Sequence, residues 1–264
     1  MNVIYEPKGR AREYSELACN LYRGCTHKCQ YCYAPACMRT TGAIWHAAAQ
    51  PRTAVLEGFE RDASKLRGDP RRILFCFLCD PYQPIERKER LTRQALTIVG
   101  KYQLRSQILT KGCADLIRDD LGLMKRVGTQ LGITLCFTDD MDRQKWEPNA
   151  SSVADRFSIL KAAHKEGVFT WVSLEPVIDP DQALQVIREA HSYVNYWKIG
   201  KLNHMKAVEN QVDWRKFLSD VEALLKSVGA KYYIKNDLQK VGLCKTSLVL
   251  ESSTERKTNV KTNA

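Results

Sequence analysis

The 264-residue sequence has no apolar run of about 18 residues, so it offers no membrane-spanning helix. Its N-terminus, MNVIYEPKGRARE, lacks an apolar signal core, which argues against secretion and for a cytoplasmic location. No Gly-rich dinucleotide fingerprint follows the first predicted strand. No internal repeat recurs, and no linker is long enough to split the chain. With 44% hydrophobic residues a sizeable core can form, which excludes a disordered chain.

What the sequence does have is cysteine and positive charge. Ten cysteines in a chain read as cytoplasmic point to metal or redox chemistry before disulfides. Cys113, Cys136 and Cys244 are scattered and read as small buried hydrophobes. The net charge of +11 suits a polyanionic partner such as nucleic acid, or simply a solvated basic surface. Charge alone does not choose between them.

Short β-type runs alternate with helical patterns, which predicts βα units around a parallel sheet. Strands are expected over 17–22, 73–78, 106–110, 133–137, 168–174, 196–199 and 232–234. Helices are expected over 52–66, 89–102, 114–127, 150–166, 181–191 and 213–228. Breaks at 69–70, 149–152 and 179–180 mark helix starts. The pattern fits a barrel-like α/β domain over 1–244, with a doubly wound open sheet as the alternative. The polar tail 245–264 reads as disordered.

One segment carries chemistry. Cys25, Cys29 and Cys32 form C-x3-C-x2-C on a short loop. Three thiolates so spaced can hold three corners of a [4Fe–4S] cubane and leave one iron open for a substrate. Zinc competes, with His27 or Cys37 as fourth ligand, although no downstream ligand pair has the usual spacing. Cys76 and Cys79 do make a C-x2-C, but within an apolar predicted strand.

The segment NLYRGCTHKCQYCYAP, residues 20–35, resembles the signature of the radical S-adenosylmethionine (SAM) enzymes, in its spore photoproduct lyase-like form. FCFLCDPYQPIE, ILTKG, WEPNASS and SLEPV also look familial. The resemblance implies a partial (β/α)6 TIM-type barrel with a short C-terminal βα extension. It also implies a [4Fe–4S] cluster, SAM, and an electron donor such as flavodoxin or ferredoxin. Its activity would be reductive cleavage of SAM to a 5′-deoxyadenosyl radical that abstracts hydrogen from a substrate.

Active groups of barrel enzymes stand at the C-terminal ends of strands. There the resemblance implies SAM contacts from Asp80, Lys111, Thr138, Ser173 and Glu175, with Lys111 on the carboxylate. Plainer readings are a turn for Asp80 and Lys111 and a cap for Thr138. Tyr31 would present its backbone near adenine, and Tyr33 would point into the barrel; packing is the alternative for both rings. Cys76 and Cys79, three apart on a regular strand, should face opposite ways. Cys79 is the better candidate to face the interior and donate hydrogen; packing beside the cofactor is its alternative. Lys198, Lys201, His204, Lys235 and Asn236 are candidate substrate contacts, with a solvated face the plainer reading for each. The chain begins only about twenty residues before the cysteine loop, and no lesion-binding hairpin of the photoproduct lyases is evident. Three functions therefore stand: a radical SAM enzyme acting on a small molecule or peptide, a DNA- or nucleotide-directed lyase, and a non-enzymatic zinc module.

Overall fold

Runs rich in β-branched and aromatic residues become strands because such side chains pack well on a pleated surface. A computed structural model describes residues 2–243. Its main sheet holds β1 (Leu17–Cys19), β2 (Arg72–Phe75), β3 (Arg105–Thr110), β4 (Gln130–Thr134), β5 (Thr170–Val177), β6 (Tyr196–Lys201) and β7 (Tyr232–Ile234). Neighbours in the sheet are neighbours in sequence, and every pair is parallel. Helices pack outside: α1 (Val55–Lys65), α2 (Leu91–Lys101), α3 (Ala114–Val127), α4 (Val153–Lys165), α5 (Pro180–Ala190), α6 (Trp214–Ser227) and α7 (Asn236–Leu243). The result is a curled half-barrel, a partial TIM-type α/β barrel in which β7 and α7 form the extension. Cys244 and the tail 245–264 lie outside the described residues.

Local chemistry sets the helix starts. Ser152 Oγ accepts the Asp155 N–H at 3.1 Å before α4, and Asp179 accepts from Asp181 and Gln182 before α5, whose first residue is Pro180. The break at 69–70 opens no helix; Asp69 Oδ1 instead takes the Arg71 N–H at 2.9 Å as the chain enters β2.

Two expected strands end early or shift. The first leaves the sheet at Cys19, and Tyr22–Arg23 pairs instead with Gln50–Pro51 in a small antiparallel ribbon. The second ends at Phe75 because Asn20 Oδ1 captures the N–H groups of Phe77 and Leu78, at 3.0 and 2.9 Å. The fourth runs over Gln130–Thr134, and Gln182 Oε1 then captures the N–H groups of Thr138 and Asp139. Asp80 and Thr138 therefore sit on loops beyond strand ends.

The sheet separates two apolar clusters. Phe59, Phe75, Ile108, Val172 and Trp197 belong to the large one against the helices. Ala18, Leu74 and Trp171 form the inner one, joined by Tyr14, Phe77, Leu109 and Tyr196. Gly132 makes room for Trp171: a Cβ there would stand 2.1 Å from the indole. Among the described residues no helix is long and apolar enough to cross a membrane.

Gly132→Ala should lower unfolding stability by about 1–3 kcal/mol through overpacking. Gly122→Ala, on the exposed face of α3 with only the flexible Arg126 side chain nearby, should raise it by roughly 0.5–1 kcal/mol. Urea unfolding of the two variants would read the difference; equal effects would remove the inner cluster as the cause.

Candidate active site

The cysteine loop is short, so other segments must satisfy its backbone. Gly24 enters it at φ +85°, where a Cβ would stand 2.1 Å from the Ala48 carbonyl oxygen. Cys25 N–H donates to Trp45 O at 3.3 Å, and His46 Nδ1 lies 2.7 Å from Cys25 O. Gln83 takes the Thr26 N–H at 3.2 Å and donates to Gly24 O at 3.3 Å. Asn149 donates twice, to His27 O at 3.1 Å and Thr26 O at 2.9 Å, and Gln30 N–H donates to Trp146 O at 2.9 Å.

The loop thus presents three free thiols, Cys25 buried and Cys29 and Cys32 half-buried. Burial pushes each of them up, Cys29 to about 12 although Lys111 acts against it. Ionised thiolates here need a positive charge bound among them, which suits a metal group. Neither competing fourth ligand joins them. Buried His27 turns Nδ1 toward Asp80 Oδ2 at 3.6 Å, and Cys37 is exposed. Among the described residues no three His, Cys, Asp or Glu side chains converge on one metal ion, as a single zinc requires. A cubane binds its thiolates at different irons, so the donor set fits it.

Lys111 follows β3 at the same mouth. Burial opposes its charge, but Cys29, Glu147 and Asp80 together hold it above its ordinary value. Its Nζ lies 5.8 Å from the Tyr31 ring centre, and among the described residues no hydrogen bond or ion pair engages it. A half-buried ammonium beside the loop, unengaged by any described side chain, is suited to a ligand carboxylate.

The other expected contacts are already engaged. Asp80 Oδ1 accepts from Tyr82 N at 2.8 Å and Thr110 Oγ1 at 2.6 Å, and Oδ2 from Lys111 N at 2.7 Å. It positions Lys111. Ser173 Oγ lies 2.7 Å from Tyr14 OH, which donates to Glu175 at 2.5 Å. Lys235 Nζ contacts both Glu175 oxygens at 2.7 Å. Lys198 Nζ is held by Tyr14 O at 2.8 Å, and burial, then Lys235, push it down to about 8. Lys201 pairs with Glu209 at 3.1 Å, while Asn236 N–H donates to Glu13 at 2.9 Å. Thr138 is half-buried, and its N–H is taken by Gln182.

Cys76 and Cys79 do not face opposite ways. The ladder has ended before them, and the turn buries both thiols together in the large cluster that also holds Cys19 and Cys25, while Phe77, between them in sequence, packs against the other cluster. Burial and a hydrogen bond with Cys79 push the Cys76 thiol well up. Tyr33 is 46% exposed and donates to Phe77 O at 2.6 Å.

Sequence reasoning missed Glu147 and Arg156, which form a fully buried ion pair at 2.5 Å. Tyr31 OH donates to Glu147, and Arg156 Nη1 donates to Thr134 O at 3.1 Å. WEPNASS was the available signal: a lone carboxylate in the segment that leads into the helix capped by Ser152. Burial would raise the Glu147 carboxyl, but Arg156 and then Lys111 outweigh it and hold it below its ordinary value. Stability from this pair is therefore fully present above the ordinary Glu value near about 4.3 and is lost as pH falls through the folded value. Glu147→Gln should cost about 3–5 kcal/mol at pH 7 by leaving Arg156 buried and unpaired, with less further loss on acidification. Urea midpoints across the acid range would test this, and a wild-type midpoint at pH 7 would refute it.

No family model matches the chain. An uncharacterized protein of Methanocaldococcus jannaschii is 28% identical over 188 residues, 70% of this chain and 69% of that one. A spore photoproduct lyase variant superposes with a TM-score of 0.61 at 13% identity, over 87% of this chain and 78% of that one. SuiB of Streptococcus suis, bound to S-adenosylmethionine, superposes with a TM-score of 0.61 at 11% identity, over 82% of this chain and 49% of that one. The chain therefore shares the fold of spore photoproduct lyase and SuiB, a partial TIM-type α/β barrel.

Proposed function

We propose that this chain is a radical SAM enzyme acting on a small molecule or peptide, with Cys25, Cys29 and Cys32 holding a [4Fe–4S] cluster. The observation that carries the reading is the Lys111 ammonium, unengaged among the described residues, beside three thiols that no fourth ligand among those residues completes. Cluster and SAM together supply, when bound, a 5′-deoxyadenosyl radical for hydrogen abstraction. Lys111 would hold the SAM carboxylate as a point charge, and Asp80 would fix Lys111 through its backbone N–H. Tyr31, bound to Glu147, stiffens the loop between Cys29 and Cys32. The solved relatives support both substrate classes: one SuiB structure holds the precursor peptide SuiA, and spore photoproduct lyase is seen with a dinucleoside photoproduct. The net charge of +11 favours the nucleotide-directed alternative, which salt-dependent DNA binding would establish.

Three residues could supply hydrogen to a product radical: Cys79, Cys76 and Tyr33. Burial keeps Cys76 protonated, which suits hydrogen-atom donation better than nucleophilic chemistry. Tyr33 is the exposed one of the three, while both thiols are buried.

After anaerobic reconstitution the wild type should bind about four irons and four sulfides per chain, and alanine at Cys25, Cys29 or Cys32 should abolish the reduced-state EPR signal. Stoichiometric zinc without iron uptake would establish the zinc module instead. Lys111→Ala should leave iron content intact and weaken SAM binding at least about tenfold, roughly 1.4 kcal/mol. Unchanged SAM affinity would remove Lys111 from the carboxylate. In deuterated solvent, Cys79→Ala should divert product into radical side-products if Cys79 donates; the same labelled product at the wild-type rate would leave it a packing role.

A further inference from the structure

The interior of a barrel is normally packed with layers of branched aliphatic side chains. At its strand starts this chain places other residues. Arg72, Gln130 and Tyr196 are the first residues of β2, β4 and β6, and Phe169 directly precedes β5. Together with Gln107 and Lys198 they line one cavity of about 460 Å³, within the range of small-molecule sites. Lys111 follows the far end of the strand that carries Gln107, roughly 13 Å further on at about 3.3 Å per residue. The cavity therefore lies at the opposite end of the strands from the cysteine loop.

Its polar groups are largely unspent. Gln107 and Gln130 are register partners on neighbouring strands of one wall. Gln107 Nε2 donates to Tyr14 O at 2.7 Å, which leaves its carbonyl oxygen without a donor among the described residues. The Gln130 amide has no hydrogen bond among those residues. Trp171, also in the wall, is buried, and its indole N–H meets no acceptor among them. Lys198 Nζ bonds only backbone carbonyls, Tyr14 O at 2.8 Å and Glu13 O at 3.3 Å, and Arg72 bonds Ser106 O at 3.1 Å. Neither cation has a carboxylate within ion-pair reach among the described residues. Glu13 is committed elsewhere, to Tyr233 OH at 3.0 Å and Asn236 N–H at 2.9 Å, and Glu16, like Arg12, is exposed. Burial works against both charges, with Arg105 adding to it at Arg72 and Lys235 at Lys198. A bound anion would relieve them.

We propose that this cavity binds a small planar heterocycle carrying one anionic group. The polar edge of the ring would meet the paired glutamine amides, its face the Phe169 and Tyr196 rings, and its anion the Lys198 ammonium. Carboxylate and phosphate are the two sources of that charge. The site stands apart from the cysteine-loop mouth and does not rest on the radical SAM reading.

The test titrates the full chain, reconstituted with iron, by calorimetry with orotate, uridine monophosphate and neutral uracil. Orotate or the monophosphate should bind at least about tenfold more tightly than uracil, and the tighter of the two names the anion. Lys198→Met should weaken that probe about tenfold. Gln130→Leu removes an amide that the fold does not use, so it should weaken the same probe several-fold even if Lys198→Met disturbs the Tyr14 carbonyl contact. Lys111→Ala, beyond the other end of β3, should bind it as the wild type does. No binding of either anion, equal affinity for uracil, or wild-type affinity in Gln130→Leu would overturn the site. Loss of binding in Lys111→Ala would overturn it too, by moving the ligand to the cysteine-loop mouth. Iron content enters none of these readouts, so failure here leaves the radical SAM reading untouched.

Discussion

The mouth of this barrel depends on one buried ion pair. Glu147 and Arg156 are both sealed from solvent, so each would be strongly destabilising without the other. Their remaining hydrogen bonds turn the pair into a junction of four elements. Arg156 on α4 reaches β4 through Thr134 O and the cap segment through Ser151 O. Glu147 reaches the cysteine loop through Tyr31. The same segment then lends Asn149 to the loop and Ser151 to the Lys111 carbonyl. Breaking the pair would release the thiols and the ammonium from one another.

A second set of constraints closes the opposite side of the interior. Tyr14, on the N-terminal arm, sits against the Trp171 ring and hydrogen-bonds Ser173 and Glu175. Gln107 and Lys198 hold its carbonyl, and the Lys235 ammonium lies 4.9 Å from its ring. Glu175 is thereby neutralised by the protein itself. The barrel mouth carries a split electrostatic character: satisfied acids in β5 and at Asp80, and at Lys111 a cation with no ion-pair partner among the described residues. A zwitterionic ligand would find its anion's partner ready and the acids for its cation already occupied.

Periodicity and spacing were enough to read the seven strands of the main sheet, most helices, the helix starts at 149–152 and 179–180, and the three-thiol loop. These are local properties, set by alternation over a few residues and by cysteines within eight positions of each other. Strand ends were not legible, because Asn20 and Gln182 terminate β2 and β4 from 57 and 44 residues away. The same holds for the partners of Glu175, Asp80 and Glu147, and for the side on which Cys76 and Cys79 lie. A carboxylate in a motif declares its chemistry, but whether it awaits a ligand depends on which distant cation or hydroxyl the fold brings to it. Tyr14 lies 161 residues from Glu175, and Tyr31 lies 116 from Glu147. Only closure of the sheet brings such groups within hydrogen-bond reach.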